Sequence, residues 1–244
     1  MIKINNLTKK YKDKLAIDNL NLEIKTGELF SLLGTNGAGK TTTIKMLSTL
    51  ILPTSGEVEI NNLDLVKDSS KIKEIINISP QETAVASNLT VLENLYFMAG
   101  IYQIPNKEDT IKELIKLFKL EEVLKQKAKT LSGGYQRKLS IAISLINDPK
   151  ILFLDEPTLG LDVISRHDLW KIIELLKGKT TIILTTHYME EAEALSDRIG
   201  IMNKGKLIEL GTSKELIKKA KTKNFEDAFI KIIEEDNNEN TNIC

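Results

Sequence analysis

The sequence predicts an α/β fold into which a helical subdomain is inserted. Eight short apolar or alternating runs, most of them bounded by Gly, Asn or charged residues, are typical of β-strands. They read MIKINNL, IDNLNLEI, ELFSLL, GEVEI, ILFLDE, TIILTT, RIGIM and KLIEL. Amphipathic stretches lie between them, and strands that alternate with helices indicate an α/β protein.

The segment from about residue 90 to residue 147 has a different pattern. Three helical stretches, TVLENLYFMAGIY, DTIKELIKLFKL and YQRKLSIAISLIN, follow one another there with no strand between them. The last stretch has one apolar face at helical spacing, formed by Leu139, Ala142, Ile143 and Ile146. We predict a domain over residues 1–218 with a helical subdomain inserted at about 84–147, followed at 219–244 by a short C-terminal helix and a polar tail.

The composition limits the possible partners. Lys plus Arg number 34 and Asp plus Glu number 34, so the net charge of zero gives no reason to expect a nucleic-acid partner. The one cysteine, Cys244, excludes an internal disulfide framework and fits a reducing compartment. The sequence shows no signal-peptide segment and no apolar run of the roughly 20 residues that span a membrane. We expect that any work at a membrane requires another, membrane-spanning chain.

The stretch GTNGAGKT matches the phosphate-loop pattern G-x-x-x-x-G-K-[ST] and lies between an apolar run and a helical stretch. Glycines let the backbone turn its N–H groups inward, and the helix N-terminus favours an anion, so the loop can hold a polyphosphate. Lys40 would contact the β- and γ-phosphate oxygens and Thr41 would ligate Mg²⁺. The alternative is a tight strand-to-helix turn that uses glycine for packing. The predicted nucleotide-binding residues of this loop are Gly34, Asn36, Gly37, Ala38, Gly39, Lys40, Thr41 and Thr42.

Two acidic residues follow the apolar run ILFL. Asp155 and Glu156 therefore lie at the carboxyl end of a predicted strand, the edge at which ligands bind in open α/β sheets. Asp155 would hold Mg²⁺, and Glu156 would orient and deprotonate the attacking water. The alternative is a solvated acidic pair that opens a loop.

A second candidate anion site occurs in LSGGYQRK. Ser132, Gly133 and Gly134 precede an amphipathic helix, whose N-terminal N–H groups favour an anion. The three residues are weak evidence by themselves, because a Ser N-cap before glycine is common.

The motifs taken together resemble those of the ATP-binding cassette (ABC) ATPases. The phosphate loop, LSGGYQRK, ILFLDEP, LGLD and TTH occur in that order, and the resemblance covers about residues 1–212. It implies a P-loop NTPase core, a mixed sheet with flanking helices and an N-terminal antiparallel β part, with an inserted helical subdomain. It also implies ATP hydrolysis with Mg²⁺ by a head-to-tail dimer, in which Ser132, Gly133 and Gly134 contact the partner's nucleotide and Asp162 lies at the dimer seam.

The resemblance assigns three further residues. Tyr11 matches the adenine-stacking position, Gln81 the glutamine that touches Mg²⁺ and the water, and His187 the histidine that contacts the γ-phosphate. Each has a structural alternative: a surface tyrosine at a strand end, a surface loop glutamine, and a histidine satisfied by the start of its own helix.

The stretches LTVLENLYFMAGIYQIP and LTTHYMEEAEALSDRIGIMNKGKLIELGT are similar to those of bacterial ABC-2 type drug or lipid exporters. The resemblance implies a transmembrane permease partner, an ATP-dependent homodimer or a heterodimer, and a cytoplasmic, peripheral location at the inner face of the cell membrane. We expect the permease to dock along about residues 82–100, for example at Ser87, Leu89 and Asn94. The alternative is a soluble, non-transport ABC ATPase associated with ribosomes or DNA.

Overall fold

The structure is a computed structural model that describes residues 1–241, with side chains described to residue 238. Cys244 lies outside the described residues. The strands are β1 (Ile2–Tyr11), β2 (Lys14–Ile24), β3 (Leu29–Gly34), β4 (Ser55–Ile60), β5 (Leu63–Asp64), β6 (Ile76–Ser79), β7 (Ile151–Asp155), β8 (Thr181–Thr186), β9 (Arg198–Asn203) and β10 (Lys206–Gly211). The helices are α1 (Lys40–Leu47), α2 (Ser69–Ile75), α3 (Val91–Ile101), α4 (Lys107–Phe118), α5 (Gly133–Ser144), α6 (Val163–Leu176), α7 (Met189–Leu195), α8 (Ser213–Ala220) and α9 (Phe225–Thr241).

The strands form two sheets. An antiparallel sheet has the order β2-β1-β4-β5, and a mixed sheet has the order β10-β9-β3-β8-β7-β6. In the mixed sheet only β10 runs antiparallel to its neighbour. The predicted fold class, a mixed sheet with flanking helices and an N-terminal antiparallel part, is confirmed.

Strand β7 shows why the centre of the mixed sheet is continuously apolar. Leu152 and Leu154 face a core built with the helices of the α3–α6 region, whereas Ile151 and Phe153 face a core built with the antiparallel sheet and α1. Because both faces are covered, every residue of this strand is buried and alternation disappears.

Strand β6 was missed by the sequence analysis. Its four residues, INIS, are too short and too polar to give a strand pattern, and pairing with β7 decides their conformation. The strand places Pro80 and Gln81 at the carboxyl edge of the sheet, next to the end of β7.

The segment predicted to be helical contains α3, α4 and α5 with two short 3₁₀ turns, and its described residues contribute no strand to either sheet. The Thr90 side chain and Glu93 form a capping box that starts α3. The predicted apolar face of α5 is buried, including Ile146 just beyond the helix end. The limits 84–147 of the subdomain remain a prediction.

The C-terminal region differs from the prediction. The predicted boundary after residue 218 falls inside α8, and most of the predicted polar tail continues α9 as far as Thr241. Phe225, Ala228 and Ile232 of α9 are buried in a core with β9. The Asn203 side chain donates a hydrogen bond to Asp236 at 2.7 Å, which holds the more polar part of the helix against the sheet. In the described part of the chain no helix has the length and apolar character needed to cross a membrane.

Candidate nucleotide-binding site

A cleft of about 650 Å³ opens at the carboxyl edge of the mixed sheet. It is lined by the predicted loop from Asn36 to Thr42, by Tyr11 from the end of β1, and by Gln81 and Glu156. The parallel strands β3, β6 and β7 bring the loop, Gln81 and Glu156 to one edge of the mixed sheet. Tyr11, which is 145 positions before Glu156 in sequence, reaches the cleft from the antiparallel sheet.

The backbone of the loop requires glycine at Gly39. This residue has φ 106°, and a Cβ there would lie 2.5 Å from Ile17 Cδ1 and 2.9 Å from the Ala16 carbonyl oxygen. Helix α1 begins at the next residue, so its first N–H groups point toward the cleft. A helix N-terminus at a cleft favours an anion. The contacts of Gly39 also fit the packed-turn alternative, so phosphate binding by this loop stays a prediction.

Lys40 lies on the floor of the cleft and is 5 % exposed. Its ammonium donates to the carbonyl oxygens of Gly34 at 2.8 Å and Thr35 at 3.2 Å, and lies 3.7 Å from Glu156 Oε1. Burial lowers the pKa of Lys40, against the opposing attraction of Glu156 and Asp155. A buried, oriented ammonium of this kind is suited to phosphate oxygens.

Asp155 and Thr41 provide a pair of oxygen atoms that fits Mg²⁺. Thr41 Oγ1 donates to Asp155 Oδ1 at 3.1 Å, and Thr185 Oγ1 donates to the same carboxylate oxygen at 2.5 Å. Hydroxyl and carboxylate oxygens, with room in the cleft for water, are the ligands that Mg²⁺ prefers. The donor set therefore suits the ion that the sequence predicts.

Glu156 is held in an unusual conformation beside His187. Its φ is 48°, and its backbone N–H donates to the carbonyl and hydroxyl oxygens of Thr185, each at 3.1 Å. Its Oε1 lies 3.3 Å from His187 Nδ1, an atom that is buried and has no hydrogen-bond partner among the described residues. A strained backbone at such a position is typical of functional residues.

These contacts argue against two structural alternatives. Asp155 and Glu156 are both buried, so they are not a solvated acidic pair. The buried Nδ1 of His187 accepts or donates no hydrogen bond among the described residues, so it is not satisfied by the start of its own helix.

Tyr11 and Gln81 both reach the cleft. The Tyr11 ring is 45 % exposed, and the Lys9 ammonium lies 5.0 Å from its centroid. An exposed ring at the rim of a cleft can stack on a nucleobase. Gln81 is exposed and lines the cleft, so its assignment to Mg²⁺ and water remains compatible with the geometry.

Ser132, Gly133 and Gly134 do not line this cleft, and Ser132 and Gly133 are exposed. The Ser132 hydroxyl accepts from the Tyr135 N–H and caps α5. A Cβ on Gly134 would lie 2.9 Å from Ser165 Oγ, so the loop packs closely on the start of α6.

Asp162 also lies outside the cleft and caps α6. Its carboxylate accepts from the N–H groups of Ile164 and Ser165 and from the Ser165 hydroxyl. The hydrogen bonds from Ser165 lower the pKa of Asp162. Capping the N-terminus of α6 is a sufficient structural reason for an aspartate at position 162. The role of Asp162 at the dimer seam remains a prediction.

Several residues at or near the site were missed by the sequence analysis. Lys14, Leu15 and Ala16 at the start of β2 line the cleft, as does Lys204 in the β9–β10 turn. Lys204 is brought there by a hydrogen bond from the Gly205 N–H to the Ala38 carbonyl, for which the sequence holds no signal.

The structure corrects one residue of the expected docking surface. Asn94 is 2 % exposed, and its side chain hydrogen-bonds the backbone of Ala86, Leu89 and Thr90. The exposed apolar side chains of this region are Tyr96, Phe97 and Ile101 on α3 and Tyr102 directly after it.

The chain is similar in sequence to known proteins. Human "Phospholipid-transporting ATPase ABCA3" is 43% identical over 218 residues, which cover 87% of this chain and 13% of that protein. The "Probable multidrug ABC transporter ATP-binding protein YbhF" of Escherichia coli is 38% identical over 252 residues, covering 99% of this chain and 43% of that protein. The chain thus spans less than half the length of either relative.

Two solved structures are similar. "Structure of ATP binding subunit of ABC transporter" matches with a TM-score of 0.85 and 26% identity over 95% of this chain and 99% of that one. The "Dimeric structure of a post-hydrolysis state of the ATP-binding cassette MJ0796 bound to ADP and Pi" matches with a TM-score of 0.78 and 30% identity over 87% and 98%. The family model described as ABC transporter matches residues 17–159, more than half of the sequence. The chain therefore belongs to the ABC transporter family.

Proposed function

We propose that the chain is the ATP-binding and ATP-hydrolysing subunit of an ABC-2 type exporter that moves a drug-like or lipid-like substrate. One observation carries the proposal: the buried Glu156 carboxylate lies between Lys40 and His187 in a cleft floored by a phosphate loop. The names of the human and Escherichia coli relatives, a phospholipid-transporting ATPase and a probable multidrug transporter subunit, support the substrate class.

The cleft accounts for nucleotide binding. The N–H groups of the loop and the Lys40 ammonium bind the phosphates, and the Tyr11 ring stacks on adenine. Thr41, Asp155 and Gln81 would hold Mg²⁺, which neutralises charge on the β- and γ-phosphate oxygens when it is bound.

Glu156 and His187 account for hydrolysis. Glu156 orients a water molecule and accepts its proton as the water oxygen bonds to the γ-phosphorus and the bond to the ADP oxygen breaks. His187 contacts the γ-phosphate and, only 3.3 Å from Glu156, limits the positions of the carboxylate. Burial of the Glu156 side chain limits competition of bulk water with the attacking water.

A second subunit completes the site in this proposal. Ser132 and Gly133 are exposed and lie outside the cleft of their own chain, so their helix N-terminus is free to contact the γ-phosphate of a partner. The dimeric state named for the similar MJ0796 structure supports this arrangement. Asp162 would lie at the seam between the subunits, and a homodimer would have two equal sites.

The permease partner would dock on α3. Tyr96, Phe97 and Ile101 are exposed there, and such large apolar side chains on a surface suit a protein partner. This interaction places the subunit at the inner, cytoplasmic face of the cell membrane. The net charge of the chain is zero, which gives no reason to propose a nucleic-acid partner.

The catalytic assignment is tested by Glu156→Gln. This variant should keep ATP binding and lose phosphate release by a factor of about 10² to 10⁴, because the general base is removed. Glu190→Gln, which neutralises an exposed carboxylate outside the cleft, is the matched control and should release phosphate as wild type does. Release by Glu156→Gln within about tenfold of wild type would exclude Glu156 as the base.

The dimer is tested by light scattering of Glu156→Gln with ATP and Mg²⁺. Adding Ser132→Arg should keep the protein monomeric, since the large cation blocks the contact with the partner's nucleotide. Ser70→Arg, on the exposed surface of α2, is the control and should still dimerise. Equal dimerisation of both double variants would refute the role of Ser132 across the dimer.

Docking is tested by crosslinking to the co-expressed permease in a Cys244→Ser background. Single cysteines at Phe97 and Ile101 should crosslink, whereas Leu175→Cys, an equally exposed apolar position on α6, should not. Co-purification without crosslinks at α3 would place the docking surface elsewhere. Absence of co-purification would favour the non-transport alternative.

A further inference from the structure

Arg137 is a buried arginine that lies outside the site described above. It is 5 % exposed and belongs to α5, four residues after Gly133. Its Nη1 donates to the Pro80 carbonyl oxygen at 2.8 Å, and its Nη2 donates to the Gln81 carbonyl oxygen at 2.5 Å. One guanidinium therefore binds two consecutive carbonyls of the loop that follows β6.

The guanidinium has no carboxylate partner within ion-pair distance among the described side chains. Burial lowers the pKa of Arg137, and the charges of Asp155 and Glu191 oppose that effect only from a distance. A buried cation without a bonded anion is unfavourable for stability. The hydrogen bonds to the two carbonyl oxygens stabilise this buried charge and hold the guanidinium against the loop after β6.

The loop that Arg137 holds carries a residue of the nucleotide site. Gln81 lines the cleft, and its carbonyl oxygen accepts the hydrogen bond from Arg137. One turn further along α5, the Ser140 and Ser79 hydroxyls lie 3.1 Å apart, a second contact between this helix and the end of β6. That second contact does not touch Gln81.

Helix α5 begins at the loop proposed to contact the partner's nucleotide. Ser132 caps the helix, and Arg137 follows little more than one turn later on the same rigid element. A displacement of this helix end therefore reaches the Gln81 backbone through a single side chain.

We infer that Arg137 is a positioning residue that couples the two nucleotide sites of the dimer. Contact of Ser132–Gly134 with the partner's nucleotide sets the position of α5, and Arg137 passes that position to Gln81 in its own cleft. The inference rests on the proposed hydrolysis and head-to-tail dimer. It adds the residue through which one site controls the other.

The test is steady-state phosphate release as a function of ATP concentration, with Arg137→Met, Arg137→Lys and Gln81→Ala. Arg137→Met should lower kcat about 10- to 100-fold, the effect of a small displacement of a catalytic group, while KM changes little. The Hill coefficient for ATP should fall toward one. Arg137→Lys keeps the charge but cannot donate to both carbonyls in the same geometry, so its kcat should lie between those of wild type and Arg137→Met. If Arg137→Met does not fold, the kcat of Arg137→Lys serves as the test.

Two further variants separate positioning from general stability. Ser140→Ala removes the neighbouring contact on the same helix and should keep wild-type kcat and Hill coefficient. The Arg137→Met, Gln81→Ala double variant should be no slower than the slower single variant, because both changes act on one group.

Additive losses in the double variant, or a wild-type kcat and Hill coefficient in Arg137→Met, would overturn the inference. If the proposed function is wrong, the result is different: the wild-type protein would release no phosphate, or its phosphate release would not change in Glu156→Gln. Dimerisation of the Arg137→Met, Glu156→Gln variant with ATP should persist, because Ser132–Gly134 are unchanged. Loss of that dimer would mean that Arg137 supports the interface itself and would also overturn the inference.

Discussion

Glu191 offers a direct test of how a buried carboxyl stabilises the region behind the cleft. Its side chain is fully buried, and its Oε1 accepts from Thr158 Oγ1 at 2.8 Å and from Trp170 Nε1 at 3.0 Å. Thr158 lies two residues after Glu156, and Trp170 is on α6. One carboxyl oxygen thus joins the segment after β7 to two helices.

Burial raises the pKa of Glu191 from its ordinary value of 4.5, although hydrogen bonds from Thr186, Thr158 and Trp170 and the charge of Arg166 act in the opposite direction. Above pH 4.5 the unfolded chain loses this proton while the folded chain keeps it. Stability therefore falls as pH rises, by up to about 1.4 kcal/mol per pH unit, until the folded carboxyl ionises as well. Glu191→Gln keeps an acceptor oxygen and cannot ionise, so it should lack this loss.

The assay is urea unfolding at several pH values, followed by the fluorescence of Trp170, the one tryptophan of the chain. The free energy of unfolding of Glu191→Gln minus that of wild type should increase as pH rises from about 5 to about 8. Glu191→Leu should lose about 2 to 6 kcal/mol near pH 5, because two buried donors are left without an acceptor. Its deficit against wild type should shrink as pH rises, because leucine cannot ionise either.

Glu190→Gln is the matched control. Glu190 is the preceding residue, and its exposed carboxylate pairs with Arg166 at 3.3 Å. A surface pair contributes about 0–1 kcal/mol, so its loss should change the free energy of unfolding only slightly. A difference between Glu191→Gln and wild type that stays constant from about pH 5 to about pH 8 would mean that Glu191 is already ionised when folded, and would refute the argument.

Three further variants test the cleft. Lys40→Ala should abolish ATP binding in a fluorescence titration, since the phosphates lose their buried cation, and an unchanged Kd would contradict the loop assignment. Gly39→Ala should lower both the melting temperature and the ATP affinity, because its Cβ meets Ile17 and the Ala16 carbonyl. Gly37→Ala, at φ 81° but with no atom within 4 Å of its Cβ, should lower both quantities less. Equal losses in the two variants would rule out the contact as the cause. Tyr11→Ala should raise the Kd for ATP, because about 1–3 kcal/mol of stacking free energy is lost, whereas Tyr11→Phe should leave the Kd unchanged. Equal Kd values for wild type, Tyr11→Ala and Tyr11→Phe would remove Tyr11 from the adenine site.

The order of the motifs was enough to identify the family and the fold class, and both predictions are confirmed. The reason is that a phosphate loop needs glycines and a lysine at fixed local spacing, and Gly39 shows that no other residue fits. The apolar face of α5 was also predictable, since helical periodicity is a local property. The roles of the individual site residues remain predictions.

Other features were decided by contacts between distant segments. Strand β6 exists because β7 pairs with it, and Lys204 reaches the cleft because the β9–β10 turn bonds to Ala38. The acidic C-terminal residues near Asp236 continue a helix because buried apolar residues of α9 and Asn203 hold it on the sheet. Arg137 and Glu191 look like ordinary charged residues of amphipathic helices in the sequence. The tertiary structure buries them, because the carbonyls of Pro80 and Gln81 and the donors of Thr158 and Trp170 come from segments that no local pattern relates to them.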